Sequence, residues 1–405
     1  MKVLLVHPGT QHSRQLALEL YKRGILYQYW TGFALAESNV FAVCLKKISA
    51  RMYKRISNRV IPELPSRKIK TLPLLEFKAI RALKESQSNK ELILFTRNEA
   101  FQKQIPDNII QNADVIIGFD TSSWILAERC KKFGKKFILD ISIAHPASKE
   151  RAYEQILKLY PDWFFTLNRK TGKLIQIEEQ EMKLADKIVV ASSFTQKTLT
   201  ENGVSNRKIV MNPYGVDASD FHPVYNKQKG RTRFVFVGQV DARKGVPLLL
   251  DAWMNINRSE ALLTLIGPIS DSTADFIKAH YSDVEILGKV SFEELKRILP
   301  EYDVFVFVSY FEGFGLVILE AMACGLPVLT SVNTCGPDVL DNGKSGFIIG
   351  LDNAQELEEK MRYMIDHTDE KELMGKSARS KSELFTWDSY GDRWEKIIYE
   401  VANDK

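Results

Sequence analysis

The chain has few of the features that secreted, zinc-binding or membrane-spanning proteins require. It contains four cysteines in 405 residues, at positions 44, 130, 324 and 335, with no C-x-x-C pair, and six histidines. This pattern argues against a disulfide framework or a zinc site. The apolar run before His7 is too short for a signal-peptide core, and no run reaches the roughly 20 residues of a membrane span. We therefore expect a soluble protein of the reducing cytoplasm.

Positive charge is concentrated in one segment. Residues 41–84 contain twelve Lys and Arg but only Glu63 and Glu76, so this segment carries +10 within a chain of net charge +5. A basic patch of this size attracts lipid head groups, polyphosphate or nucleic acid. Its Lys and Arg alternate with Leu, Ile, Phe and Tyr, which suits a membrane surface. We expect an anionic membrane surface as a partner, with a solvated basic insertion as the alternative.

Strand-like apolar runs alternate with helical patterns along the whole chain. The runs are nearly continuous in apolar residues, as in parallel strands that are buried on both faces. This alternation predicts the α/β class with doubly wound parallel sheets. The predicted strands are 2–7, 91–95, 114–119, 136–142 and 187–192, and then 233–238, 262–267, 284–288, 303–309, 327–331 and 346–350.

A polar stretch with Gly and Pro interrupts this series between residues 214 and 231 and predicts an interdomain linker. We expect a Rossmann-like first domain over 1–213 and a second over 214–386. The last segment, 387–405, has aromatic residues on one helical face and is expected to pack back on the first domain. Two such domains would face each other across a cleft, where ligands bind outside the carboxyl ends of the strands.

The run SYFEGFGLVILEAMACGLP, from Ser309 to Pro327, follows a predicted buried strand. Gly313 and Gly315 allow a tight turn and a close approach to a ligand. A helix is expected to begin at Gly315 or the next residue, and its free N–H groups suit a diphosphate. Glu312 precedes this helix and Glu320 lies within it. Two carboxylates so placed can accept hydrogen bonds from the hexose and the ribose of one nucleotide sugar.

This run resembles the Glu-x7-Glu motif of family 4 retaining glycosyltransferases, including E-G-F-G, E-A-M-A and the G-x-P that follows. The resemblance extends from about residue 181 to 350 and implies the GT-B fold, with two Rossmann-like domains facing a central cleft. It implies that Glu312 contacts the donor sugar and that Glu320 contacts the ribose. It further implies donor contacts from Gly313, Phe314, Gly315, Leu316 and Val317.

A second element, VGQVDARKGVPLLLDAW, follows the first strand of the second series. Arg243 and Lys244 are expected to open a helix, where cations can hold a diphosphate. The family pattern is G-R-x4-K-G, and Lys244 matches its lysine. Gln239 stands at the place of the usual arginine, and the adjacent Arg243 is the cation that could compensate; a solvated helix start is the alternative. Donor contacts are also implied for Gly238, Gln239, Gly267 and Val290.

The first domain offers histidines beside a glycine loop. Gly9 follows the first strand, where the family has a glycine loop that faces the diphosphate, although His-Pro-Gly departs from the usual doubled glycine. His145 follows the strand 136–142, and the resemblance implies a position near the reacting centre. A turn-forming role for His145 stays open, and His7 and His12 are rival candidates. With Lys244 and Glu312, His145 completes the predicted catalytic set.

The resemblance implies a retaining hexosyltransferase that uses a UDP- or GDP-sugar and a glycan or lipid-linked acceptor in polysaccharide or glycoconjugate synthesis. In the family the leaving diphosphate accepts the acceptor's proton, and the protein positions the reactants and stabilises charge. The sequence has no D-x-D motif and no Ser-His-Asp arrangement, so neither a metal nor a further cofactor is expected.

Two other classes of function remain open. The first is a GT-B phosphorylase or a nucleotide-sugar epimerase. The second is a non-catalytic protein that binds an anionic surface or nucleic acid. No helix-turn-helix, finger or RNP-like pattern accompanies the basic segment, so nucleic acid is not the expected partner. The expected location is the cytoplasm, at the inner face of the membrane.

Overall fold

The computed structural model describes residues 1–9, 12–37, 39, 59–86, 90–167, 172–224, 227 and 230–404. Residues 41–58, which carry part of the predicted basic segment, therefore lie outside the described residues. In the part of the chain that is described, no helix is both long enough and apolar enough to cross a membrane.

The first half of the chain forms a seven-stranded parallel sheet with the order β5-β2-β1-β6-β7-β8-β9. A separate two-stranded sheet consists of β3 and β4. The strands are β1 Val3–His7, β2 Leu26–Thr31, β3 Leu35–Ala36, β4 Val60–Ile61, β5 Ile69–Thr71, β6 Val115–Phe119, β7 Lys136–Ile141, β8 Lys187–Val190 and β9 Ile209–Met211.

The second half forms a six-stranded parallel sheet with the order β12-β11-β10-β13-β14-β15. Its strands are β10 Thr232–Val237, β11 Ala261–Ile266, β12 Glu285–Gly288, β13 Val304–Phe307, β14 Val328–Ser331 and β15 Gly346–Ile349. The α/β prediction with doubly wound parallel sheets is therefore confirmed.

Helices connect the strands of both sheets. The α-helices are α1 Ser13–Lys22, α2 Pro73–Glu85, α3 Lys90–Lys103, α4 Asp107–Gln111, α5 Trp124–Lys132, α6 Pro146–Leu159, α7 Gly172–Leu184, α8 Ser193–Glu201, α9 Val246–Met254, α10 Asp271–His280, α11 Phe292–Ile298, α12 Leu316–Ala323, α13 Gly336–Val339, α14 Gln355–Asp366, α15 Thr368–Ser382 and α16 Trp387–Asn403. Short 3-10 turns are Ser66–Lys68, Pro161–Thr166, Asn206–Lys208, Ala218–Asp220 and Leu299–Glu301.

Central strands of both sheets are buried along their whole length. Every residue of Val115–Phe119 and of Val304–Phe307 is buried. Helices cover both faces of a parallel sheet, so its central strands carry apolar side chains at successive positions instead of at alternate ones. This is the physical reason for the continuous apolar runs in the sequence.

The strand order in each sheet changes direction at one place. That place lies between β1 and β6 in the first sheet and between β10 and β13 in the second. Loops that leave two such strands diverge and open a crevice at their carboxyl ends, where ligands of this class of fold bind. The fold therefore selects the loops after β10 and β13 as the place for a ligand in the second half.

One predicted strand is wrong. Residues 91–95 belong to α3, a helix that runs through Lys103. The apolar run ELILF is followed by eight residues without Gly or Pro, which extends the helix until Phe101 reaches the core, whereas Leu92 and Leu94 are exposed. Strands β2, β5 and β9 were not predicted, because they are short or mix apolar with polar residues.

The last helix, α16, lies against α1 of the first half. Arg23, at the end of α1, donates hydrogen bonds to Asp388 Oδ1 at 3.0 Å and to Asp392 Oδ1 at 2.6 Å. The same guanidinium donates to the buried carboxylate of Glu19 at 2.6 Å. Beside this contact, Val216 N–H donates to the Phe385 carbonyl at 2.8 Å, which brings together the two segments where the sequence predicts the domain boundaries. The domain boundaries after residues 213 and 386 stay a prediction.

Replacing Arg23 with Met should lower the free energy of unfolding by about 2 kcal/mol, because it leaves the buried Glu19 carboxylate with one cation fewer. The melting temperature should then fall by about 4–8 °C, the shift expected for a cooperative unit of about 150–250 residues. Asp388→Asn is the control, since Asp388 is 80% exposed and exposed pairs contribute less than about 1 kcal/mol. Equal melting temperatures of Arg23→Met and wild type would contradict this account.

Candidate functional site

The loops after β10 and β13 are tied together at the carboxyl edge of the second sheet. The backbone carbonyl of Arg243 accepts hydrogen bonds from Tyr310 N–H at 2.9 Å and from Ser309 Oγ at 3.1 Å. Its guanidinium donates to the Phe311 carbonyl at 2.8 Å. Two segments more than 60 residues apart in the sequence are thus held in contact, because β10 and β13 are neighbours in the sheet.

Lys244 and Glu312 meet within this pair of loops. The Lys244 ammonium hydrogen-bonds the Glu312 carboxylate, and both side chains are only 14% exposed. Arg243 lies 3.7 Å from the same carboxylate oxygen, and the ammonium lies 5.0 Å from the centre of the Phe307 ring. The structure therefore brings together three of the four charged residues that the sequence predicted for a nucleotide sugar; the fourth, Glu320, is not part of this contact.

The charge state of this pair follows from its surroundings. Burial by itself raises the pKa of the Glu312 carboxyl, but Lys244, Arg243 and the Gly313 N–H outweigh burial and hold that pKa below its usual value. Burial lowers the pKa of the Lys244 ammonium, although Glu312 acts in the opposite direction. A carboxylate held ionised in a poorly solvated place is a strong acceptor for hydroxyl groups.

Two glycines start the helices that border the pair. Gly315 has φ of 90° and immediately precedes α12, whose start no side chain caps. An uncapped helix start suits an anion, and the predicted start of this helix is confirmed. Gly245 has φ of 78°, and a Cβ there would lie 1.9 Å from the Val308 carbonyl oxygen, so no other residue fits. The helix α9 begins only after this glycine. The prediction that Arg243 and Lys244 open the helix is therefore wrong, and both residues lie in the turn before it.

Glu320 lies within α12, one turn before its end. Burial raises the pKa of its carboxyl to about 7, against a weaker opposing effect of Lys296. At neutral pH this carboxyl is therefore close to the midpoint of its titration, unlike Glu312. The carboxyl group predicted to contact the ribose, Glu320, and the one predicted to contact the sugar, Glu312, thus differ in protonation.

The other residues predicted for the donor lie along the same edge of the sheet. Gly238 and Gly267 follow β10 and β11, and a Cβ on Gly267 would lie 1.8 Å from the Gly238 carbonyl oxygen. Gly267 N–H donates to the carbonyl of Gly288, the last residue of β12, at 2.8 Å. Val290 is half-buried just beyond it, and Gln239 is exposed. The contacts of all these residues with a donor stay predictions.

Histidines line the carboxyl edge of the first sheet. His12 Nε2 lies 2.8 Å from Asp140 Oδ2, and its ring packs on Tyr214 with ring centres 4.2 Å apart. His7 is buried, and burial lowers the pKa of its ring well below the usual value. A Cβ on Gly9 would lie 2.6 Å from His7 Nε2, so the predicted glycine loop packs directly on that ring.

His145 has a structural role that its sequence position left open. It is buried and precedes α6, where its Nδ1 accepts a hydrogen bond from Ala147 N–H at 3.2 Å. The backbone N–H of His145 donates to Thr198 Oγ1 at 3.1 Å. The ring thus caps a helix, and the catalytic role of His145 stays a prediction.

Several residues of this region were not predicted from the sequence. Asp140 is buried inside the apolar strand β7, and a carboxylate in such a strand was a signal for a special role. Ser192 and Thr195 had no comparable signal, since Ser and Thr at a helix start are ordinary capping residues. Over the described ranges, no group of three or more His, Cys, Asp and Glu side chains is arranged to hold a metal ion.

Comparison with known proteins identifies the second half. Residues 217–381 match the family model described as "Glycosyl transferases group 1". An uncharacterised glycosyltransferase of Methanocaldococcus jannaschii is 31% identical over 222 residues, which cover 54% of this chain and 61% of that protein. The chain thus matches less than two thirds of that relative's length. WcaL of Salmonella typhimurium, named for colanic acid biosynthesis, is 25% identical over 275 residues, covering 62% of this chain and 68% of WcaL.

Solved structures match the chain over nearly its whole length. Sucrose-phosphate synthase from Thermosynechococcus elongatus has a TM-score of 0.69 at 17% identity and covers 99% of both chains. Anabaena HepE in complex with UDP-glucose has a TM-score of 0.63 at 14% identity and covers 99% of this chain and all of its own. At these identities the likeness shows the fold, which is GT-B. Residues 217–381 thus match a group 1 glycosyltransferase domain, within a chain that has the GT-B fold.

Proposed function

We propose that the chain is a retaining, metal-independent glycosyltransferase of the family 4 type. It transfers a hexose from a UDP- or GDP-sugar to a glycan or lipid-linked acceptor in polysaccharide or glycoconjugate synthesis. The observation that carries the proposal is the pairing of Lys244 with Glu312 at the crevice between β10 and β13, beside the uncapped start of α12. The match to the group 1 family and the names of the chain's relatives support the same class of reaction.

Each charged group of the site has a role that its chemistry suits. The Lys244 ammonium and the Arg243 guanidinium bind the diphosphate and stabilise the charge that develops on it as the leaving group. Glu312 accepts hydrogen bonds from hydroxyls of the sugar, and Glu320 accepts them from the ribose. The start of α12 adds backbone N–H groups to the diphosphate.

Retention of the anomeric configuration would follow from this division of roles. The bond between the anomeric carbon and the diphosphate oxygen breaks and leaves negative charge on the diphosphate. The acceptor oxygen bonds to the anomeric carbon from the same face of the sugar, and its proton passes to the leaving diphosphate. The protein holds the acceptor on the face of the sugar from which the diphosphate departs and stabilises the leaving group, so it needs no nucleophile of its own. The absence of a D-x-D motif from the sequence supports transfer without a metal.

A panel of ligands tests the proposal directly. Thermal shift with UDP, GDP, ADP and their sugar conjugates should show stabilisation by one nucleotide and its conjugates, with binding to the folded state raising the melting temperature. NMR of donor and product should show the same anomeric configuration. An inverted product would contradict retention, and absence of any shift across the panel would contradict the donor assignment.

Replacing Lys244 with Met should reduce turnover of the nucleotide sugar by about 100-fold or more, because it removes a preorganised cation from the developing charge. Glu312→Gln should reduce turnover by a similar factor, because it removes the carboxylate that accepts hydrogen bonds from the sugar hydroxyls. Lys278→Ala is the control, since this exposed lysine lies on α10, and its turnover should stay within about twofold. Initial rates with the donor found in the panel measure these changes. Full activity of both site variants in folded protein would refute the assignment.

Donor affinity should rise with pH through neutrality. Only ionised Glu320 accepts two hydroxyls, and its pKa of about 7 makes the ionised fraction grow about tenfold between pH 6 and 8, so that the apparent Kd falls by a similar factor. Isothermal titration with the nucleotide sugar measures it. A nucleotide sugar is the right ligand because a terminal phosphate titrates near pH 6 itself. Glu320→Gln should bind with a flat pH profile; a flat wild-type profile would contradict the role of Glu320.

We also propose that the first half contacts an anionic membrane, where a lipid-linked acceptor would lie. Helix α2 exposes Leu74 and Phe77, and the neighbouring α3 exposes Leu92. The exposed cations Lys78 and Arg81 are also on α2. Exposed apolar side chains beside cations suit the interface of an anionic bilayer, and all of these residues except Leu92 belong to the basic segment 41–84 that the sequence singled out.

Leu74→Asp should weaken binding to vesicles of phosphatidylglycerol, because a carboxylate then replaces an apolar side chain that is 78% exposed at a negative surface. Co-sedimentation should show several-fold less bound protein. Leu373→Asp, at a leucine of α15 that is 63% exposed, is the control and should bind as the wild type does. Equal binding of the wild type to phosphatidylcholine vesicles would refute an electrostatic membrane contact.

A further inference from the structure

The carbonyl group that follows Glu312 is bound from the other half of the chain. The Gly313 carbonyl accepts a hydrogen bond from Ser192 Oγ at 2.5 Å and another from Thr195 Oγ1 at 3.0 Å. Ser192 follows β8 and Thr195 lies in the first turn of α8, so both hydroxyls belong to the first half. All three residues are buried.

The proton positions at this contact are consistent with two donors to one acceptor. Ser192 Oγ accepts the N–H of Thr195 at 3.1 Å. Its single proton has two acceptors within reach, Thr195 Oγ1 at 3.1 Å and the nearer Gly313 carbonyl at 2.5 Å. The Thr195 hydroxyl donates its proton to the same oxygen, and a carbonyl oxygen has two lone pairs to accept both. Without these hydroxyls a buried carbonyl would lack its partners, which costs about 1–3 kcal/mol.

Close packing at Gly313 adds a steric condition. A Cβ at this position would lie 1.9 Å from the carbonyl oxygen of Ser142, which follows β7 in the first half. A second tie lies next to it, where Ser193 N–H donates to Asp338 Oδ2 at 2.9 Å. The loop that carries Glu312 thus fits against the first half only because residue 313 has no side chain.

We propose that Ser192 and Thr195 are positioning residues that hold the Glu312 loop from across the cleft. They act through the Gly313 carbonyl and set the place of the neighbouring carboxylate, so that the site is complete only when the two halves are closed on each other. This inference rests on the proposed function for its effect on turnover. The contact itself can be tested without any sugar transfer.

The matched pair Thr195→Val and Thr195→Ser separates the hydroxyl from the rest of the side chain. Valine keeps the shape and removes the donor, whereas serine keeps the donor. Thr195→Val should lower kcat by about 2- to 10-fold, the effect of one neutral hydrogen bond, with a nucleoside diphosphate Kd within about twofold, because Lys244 and Arg243 are untouched. Thr195→Ser should retain the wild-type kcat.

A double variant and a wedge extend the test. Ser192→Gly with Thr195→Val removes both donors, and glycine at a helix N-cap costs only a few tenths of a kcal/mol. This double variant should lower kcat by about 10- to 100-fold. Gly313→Ala should have an effect at least as large, since its methyl group would push the halves apart at the Ser142 carbonyl.

Hydrogen exchange of the peptide 311–316 is the readout that needs no activity. Amides of this loop should exchange faster in Thr195→Val and faster still in the double variant, with the Thr195→Ser protein like the wild type. Unchanged exchange in the double variant, or a Thr195→Ser protein as impaired as Thr195→Val, would overturn the positioning role. If the wild type transfers no sugar but the variants still differ from it in exchange as described, the proposed function is contradicted and the positioning contact is supported.

Discussion

The ion pair of Lys244 and Glu312 is the interaction on which the rest of the site depends. Two opposite charges that are largely removed from water stabilise a structure only when they are paired and hydrogen-bonded, and removal of one partner leaves an uncompensated charge. The pair forms because β10 and β13 are adjacent in the second sheet although their loops are far apart in the sequence. A sugar diphosphate could replace both partners at once, with phosphate oxygens for the ammonium and hydroxyls for the carboxylate.

Glycine sets how closely the segments around this pair can approach. Gly245 brings its turn against the Val308 carbonyl, and Gly313 brings the Glu312 loop against the Ser142 carbonyl of the first half. In both places a single methyl group would overlap a backbone oxygen. The cleft between the two halves is therefore narrow at the Glu312 loop, and the two hydroxyls of Ser192 and Thr195 supply the polar partners that such a buried contact needs.

Much of the fold was predictable, and so was part of the geometry of the candidate site. The continuous apolar runs predicted the parallel strands, and Gly315 and the residues after it predicted the start of α12. The segment 91–95 shows the limit, because a short apolar run fits a buried strand and a helix equally well. Residues 91–95 form part of a helix because the residues after them continue the helix through Phe101, whose side chain is buried in the core.

The sequence by itself determined the fold class and the residue types of the loops after β10 and β13, because strand period, helix starts and glycine turns are local properties of the chain. Only the tertiary structure decided which side chains meet. It placed Lys244 on Glu312, His12 on Asp140 and two hydroxyls from the start of α8 on the Gly313 carbonyl. These contacts arise from strand order and from the packing of one half on the other, and neither leaves a periodic or local mark in the sequence.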